Sequence, residues 1–185
     1  MQRVIFVDVD GVLNNSGTLS RLRLRGARGS VDLGQLIDPS NLRVLVRVVE
    51  ATGAVAVVSS SWRLRTSQLD TLQSALAECG VRVVGCTPEL DHTDPRACRA
   101  AEIRKWLADH DADGAPWVAI DDIDLDCDGC GAHRLGPDHF VRTDAERGLA
   151  GADADRAIAA LRRPARAPRD AAGGAPTADR RDGPG

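Results

Sequence analysis

Val4-Ile5-Phe6-Val7-Asp8-Val9-Asp10-Gly11-Val12-Leu13-Asn14 is the stretch on which the fold turns. Four β-favouring apolar residues follow one another without alternation, the pattern of a strand buried on both faces. Two acids come next, two residues apart, and side chains at that spacing in an extended chain point the same way. Gly11 then lets the chain turn sharply with no Cβ in the way. A core strand that ends in two carboxylates and a tight turn suits a ligand site, because open parallel sheets bind ligands beyond their carboxyl ends. A calcium loop would need further oxygen ligands and a closing Glu; Val12 and Leu13 stand there instead.

Working outward, similar runs recur at Val55 to Val58, Val81 to Val84, Trp117 to Ile120 and Phe140 to Val141. Between them, helical periods span about 39–52, 66–79, 96–109 and 153–162, with start signals at Asp38-Pro39 and Asp94-Pro95. The alternation predicts an α/β, Rossmann-like parallel sheet of about five strands with helices on both faces. From Arg163 onward the chain is rich in Pro, Gly, Ala and charge and lacks large apolar groups. Residues 163–185 are therefore expected to be a disordered tail behind a domain of residues 1–162.

A net charge of -3 gives no global pull toward nucleic acid or membrane, so any polyanion binding must be local. No apolar run reaches the length of a membrane span, and the amino terminus enters a strand without the basic start of a secretory signal. Five scattered cysteines do not form the dense framework of a small secreted domain, so reduced thiols and a cytoplasmic location are expected. Lys105 is the single lysine among 24 basic residues. In so arginine-rich a chain, a cluster of arginines carries less weight than usual.

The residues just beyond the strands are polar and acidic. Of Asp8 and Asp10, one carboxylate could attack a phosphorus atom while the other protonates the leaving oxygen and later activates water. The second strand ends in Ser59-Ser60-Ser61-Trp62-Arg63, where a hydroxyl could donate to a phosphoryl oxygen and Arg63 add charge; the same residues also suit a helix-opening turn. The fourth ends in Asp121-Asp122, acids that would repel Asp8 unless a cation neutralised them, and hard oxygen ligands favour Mg2+.

The ordered set VIFVDVDGVLN, VAVVSSSWR, an arginine-bearing helix and WVAIDD resembles motifs I to IV of the haloacid dehalogenase (HAD) superfamily. The nearer likeness is to the small HAD domains found with RNA-repair proteins, and it covers roughly residues 1–162. The resemblance implies that Asp8 is the nucleophile and a metal ligand. It makes Asp10 the general acid/base, its main-chain carbonyl also binding magnesium, with Asp121 and Asp122 completing the metal site. Register on Trp62 favours Ser60 as the phosphate-binding hydroxyl, and counting from the strand end favours Ser59. The motif III position is normally a lysine. Lys105, however, lies two residues from both Ile103 and Leu107, on the opposite side of its helix from their apolar face. Arg99 shares the inner face near the helix start and is the preferred motif III residue, with Arg96 in reserve.

Residues 15–37 allow only a loop or small hairpin, and residues 64–95 are used up by a helix, a strand and a loop, so no large cap is expected. By family analogy an open site suits phosphates on large substrates such as nucleic acid ends. Arg21, Arg23, Arg25 and Arg28 could grip a polynucleotide backbone there, or decorate a solvated β-flap. Cys127-x-x-Cys130-x-x-His133 could hold zinc if Cys86, His92, Cys98 or an Asp completed the set, or be a reduced loop. The expected function is thus a Mg2+-dependent phosphomonoester hydrolase using an aspartyl-phosphate. A small-metabolite or nucleotide phosphatase is the rival within the superfamily. The rival outside it is a non-catalytic domain binding phosphorylated ligands, against which the presence of both Asp8 and Asp10 speaks.

Overall fold

The computed structural model describes residues 2–24, 33–91 and 95–164. Five strands form one all-parallel sheet: β1 (Val4–Val7), β2 (Val55–Val58), β3 (Val83–Cys86), β4 (Trp117–Asp121) and β5 (Phe140–Arg142). Their spatial order is β3-β2-β1-β4-β5, which puts β1 at the centre. Around the sheet lie α1 (Ser16–Leu24), α2 (Pro39–Thr52), α3 (Thr66–Glu78), α4 (Pro95–Asp109) and α5 (Gly151–Leu161).

Alternation along the strands builds two cores, one on each face. Ile5, Val7, Ala56, Val58, Val118 and Ile120 pack against α2, α3 and α5. Val4, Phe6, Val55, Val57, Trp117 and Ala119 pack against α4 and the segment after β4. There Phe6 meets Trp106 and Trp117 edge-on, with ring centroids 5.3 and 5.9 Å apart.

The expected strands and helices are present, with instructive shifts. β3 starts at Val83 rather than Val81, because Val81 closes α3 instead: Gly80 takes a left-handed φ of 75°, and the Val81 amide returns to the Leu76 carbonyl at 2.9 Å. Residues 16–24 are a helix, not the expected loop or small hairpin. Asn15 Oδ1 accepts from the Thr18 amide at 2.9 Å and caps α1, while Thr18 and Arg21, one turn apart, both bond Asp38. The alternating Arg-Leu pattern, read as strand-like, yields to that cap and its tertiary partner. Arg25 and Arg28, the side chain of Arg23, His92 and residues 165–185 of the expected tail lie outside the described part. No described helix is long and apolar enough to cross a membrane.

Candidate active site

Sheet register assembles the centre of the site. Val7 stands opposite Val58 on one side and Ile120 on the other, so the next residues, Ser59, Asp8 and Asp121, form a row across three adjacent strand ends. All three share the parity of Phe6, Val57 and Ala119, and so face α4.

From that helix Arg99 reaches down. Its Nη1 donates to Asp121 Oδ2 at 2.8 Å and lies 3.1 Å from Asp8 Oδ1, and it also donates to the Ser59 carbonyl. Arg99 is thus the basic side chain that α4 sets beside Asp8 and Asp121. Lys105 pairs with Asp109 on the exposed side of α4, and Arg96 is also exposed.

Two buried carboxylates share this one arginine, and Asp122 joins them. One oxygen from each of Asp8, Asp121 and Asp122 can be chosen so that all three lie within 4.8 Å of one another. Burial pushes the Asp8 carboxyl above the usual range, although Arg99 and a hydrogen bond from Ser60 pull it back. Burial, and then the charge of Asp8, push Asp121 well above that range despite Arg99. The cluster holds three acids against one fixed cation, with hard oxygen donors converging. A divalent cation of the magnesium type fits that deficit, and the cluster could bind one.

Asp10 sits apart, at the exposed mouth. Asn14 Nδ2 donates to its Oδ1 at 2.7 Å and Trp62 Nε1 to its Oδ2 at 3.2 Å, so the carboxylate is held from two sides but open to solvent. Gly11, between the two halves, has φ 73°, and a Cβ there would come within 2.6 Å of Asp122 Cγ. Only glycine fits both constraints. Thr143 Oγ1 donates to the Gly11 carbonyl at 2.8 Å and pins the turn from β5.

The two serines separate cleanly. Ser60 bonds Asp8 through its side chain, whereas Ser59 Oγ is buried without a hydrogen-bond partner and faces α4. Ser60 is the hydroxyl beside Asp8. Arg63 does not join the cluster. Its guanidinium donates to the Ser60 carbonyl at 2.8 Å, the Pro88 carbonyl at 3.2 Å and Glu102 Oε1 at 2.7 Å, which commits its charge to Glu102 on α4 rather than to Asp8 or Asp121. Arg21 of the arginine segment is tied to Asp38 at 2.6 Å. Cys127 and Cys130 place their sulfurs 3.8 Å apart, but His133 is exposed, and among the described residues only Asp8, Asp121 and Asp122 gather as three metal-type ligands.

Sequence reasoning missed the holders of Asp10. The signal was present: Asn14 closes the motif I stretch, and Trp62 is an indole whose N–H must find an acceptor when its ring is buried.

A central strand ending in a buried acid, a second acid two residues on, a hydroxyl from β2, a cation from α4 and an acid pair from β4 together define a HAD-type hydrolase domain. Residues 4–154 match the family described as the HAD domain in Swiss Army Knife RNA repair proteins, and the chain belongs to it. No curated protein and no solved structure matches the chain at a significant level.

Proposed function

We propose that this domain is a Mg2+-dependent phosphomonoester hydrolase that works through an aspartyl-phosphate on Asp8. The observation that supports it most is the Asp8–Arg99–Asp121 arrangement, with Asp122 beside it and Asp10 exposed at the mouth. A carboxylate at Asp8 attacks phosphorus as the bond to the leaving oxygen breaks, and Asp10 gives its proton to that oxygen. Asp10, now ionised, takes a proton from water, whose oxygen attacks the phosphorus. The acyl-phosphate bond then breaks, releasing inorganic phosphate and restoring Asp8. Trp62 and Asn14 orient Asp10 for both transfers. Ser60 and Arg99 stabilise charge on the phosphoryl oxygens. Magnesium, held by Asp8, the Asp10 carbonyl, Asp121 and Asp122, would keep Asp8 ionised and neutralise the phosphoryl group.

As substrate we propose a terminal phosphate of a nucleic acid. The described residues form no large cap, which leaves room for a bulky leaving group, and the family's description sets such domains in RNA repair proteins. Five unpaired thiols suit a reducing cytoplasm as its location. The test is phosphate release with and without magnesium from 3'- and 5'-phosphorylated oligonucleotides, nucleotides, sugar phosphates and an aryl phosphate. Release confined to nucleotides or sugar phosphates would transfer the assignment to a small-molecule phosphatase. Phosphate binding without release from any substrate would make it a phospho-ligand-binding domain.

A further inference from the structure

Arg63 and Glu102 form an ion pair buried on both sides, with side chains 7% and 4% exposed. Pairs of this kind are poor stabilisers, since desolvating two charges offsets their attraction, and similar apolar side chains often serve stability as well or better. Its value must then be sought in what it holds together. Arg63 bonds the carbonyls of Ser60 and Pro88, while Glu102 Oε1 accepts from Arg63, from the Leu90 amide at 3.2 Å and from Cys98 Sγ at 3.5 Å. One pair thus ties the loop after β2, the loop after β3 and α4.

On two of those segments sit Ser60 and Arg99, the groups that touch Asp8. Ser60 offers its carbonyl directly to Arg63, and Arg99 precedes Glu102 on α4 by three residues, about one turn. A second observation marks the same place. Among the described residues, the buried side-chain atoms without a hydrogen-bond partner are Ser59 Oγ, Arg63 Nε and Thr87 Oγ1. One belongs to the pair itself, and the other two directly precede Ser60 and Pro88, the residues whose carbonyls Arg63 holds. Unpaired polar atoms gathered at one buried point mean that local stability has been given up there for placement.

We propose that Arg63 and Glu102 are positioning residues: the pair acts as a clamp that fixes Ser60 and Arg99 at their separation across Asp8. The clamp rests on the reading of the site as a phosphohydrolase centre. Arg63 thereby contributes to phosphate handling without touching phosphate, through the Ser60 main chain.

The decisive variant is the double substitution Arg63→Met/Glu102→Leu, which removes both charges and keeps volume. We expect its Tm to stay within a few degrees of the parent. Its kcat on an aryl phosphate should fall at least 10-fold, and its affinity for inorganic phosphate, followed by 31P NMR with magnesium present, should weaken several-fold. A positional error of an ångström in such groups is enough for losses of this order. Arg63→Lys is the second variant: it keeps a charge beside Glu102 but lacks the planar fork that reaches two carbonyls and a carboxylate together. It should fold, pair with Glu102 and still lose kcat about 10-fold, which keeps the proposal testable if the double variant fails to fold. A folded variant of either kind with parental kcat and phosphate affinity overturns the clamp. A parent that releases no phosphate from any substrate overturns the underlying reading of the site, and the clamp with it.

Discussion

Two clusters in this molecule set an arginine against buried aspartate, and they have opposite electrostatic characters. At Asp38, burial pushes the carboxyl up, but hydrogen bonds from Thr18, the Ser40 amide and Arg21, with the charge of Arg21, outweigh it and hold the group at about 2. Both oxygens accept: Thr18 Oγ1 and Arg21 Nη2 donate to Oδ2, each at 2.6 Å, and Ser40 N to Oδ1 at 2.8 Å. At the strand ends, Asp8 and Asp121 share one arginine, and burial leaves both above the usual range. The first cluster is complete in itself and joins α1 to α2. The second is short of positive charge, which is what a site must be if a cation and a phosphoryl group are to complete it.

The sharpest way to break the contrast is Asp8→Asn. Turnover of an aryl phosphate should fall by more than about 1000-fold, since the proposed nucleophile is gone at nearly constant shape. Thermal stability should hold or rise, because the substitution removes a charge that repels Asp121. A variant that keeps even a tenth of parental kcat contradicts the covalent route.

Magnesium should act on one cluster alone. At about 100 times its Kd the cation should stabilise the protein by roughly 2.7 kcal/mol, a rise in Tm of about 5 to 10 °C. In Asp122→Asn the same concentration should give a clearly smaller rise, while Asp38→Asn should lower the baseline Tm and leave the increment intact. An equal increment in the parent and Asp122→Asn would remove Asp122 from the metal site.

How much of this contrast was legible follows from which interactions are local. The strand-end acids stand out because continuous apolar runs announce buried strands and the period of two fixes where the next side chains point. Asp8 and Asp121 are therefore readable, and Arg99 follows from helical phase. Asp38 is legible only in part: Asp38-Pro39 marks the start of α2, where Asp38 Oδ1 does cap Ser40. Its contacts with Thr18 and Arg21 depend on α1, which the Arg-Leu alternation disguises as a strand. Arg63 is the same case at longer range. Beside Ser60 it looks like a phosphate ligand, and only the fold brings Glu102, 39 residues away, against its guanidinium.

The Asp38 cluster makes a prediction in pH. Its folded-state pKa lies below that of the unfolded chain, so its contribution is present above about pH 4 and is lost as pH falls toward 2. The lowering from 3.8 to about 2 corresponds to on the order of 2 kcal/mol, with a side chain only 7% exposed. Urea unfolding of the parent and Asp38→Asn should therefore differ by about that amount at pH 6 and converge near pH 2. A difference that persists undiminished at pH 2 would assign the effect to shape rather than charge.

The smallest effect belongs to Arg21, and it separates a scaffold role from a substrate role. Its side chain is 60% exposed while its Nη2 reaches Asp38, so solvent screens the pair and Arg21→Gln should cost less than about 1 kcal/mol. Asp38 would keep Thr18 and the Ser40 amide, enough to hold α1 in place. If Arg21 serves Asp38, its loss should leave KM for a phosphorylated oligonucleotide and the salt dependence of that KM where they were. A residue that neutralises a phosphate would instead flatten the salt slope by roughly 0.7 to 0.9. The measurement is oligonucleotide kinetics for parent and Arg21→Gln at low and near-physiological salt, beside a urea midpoint for each. A flattened slope with an unchanged midpoint would move Arg21 from the Asp38 cluster to the substrate surface, and the contrast between the two clusters would lose its clearest member.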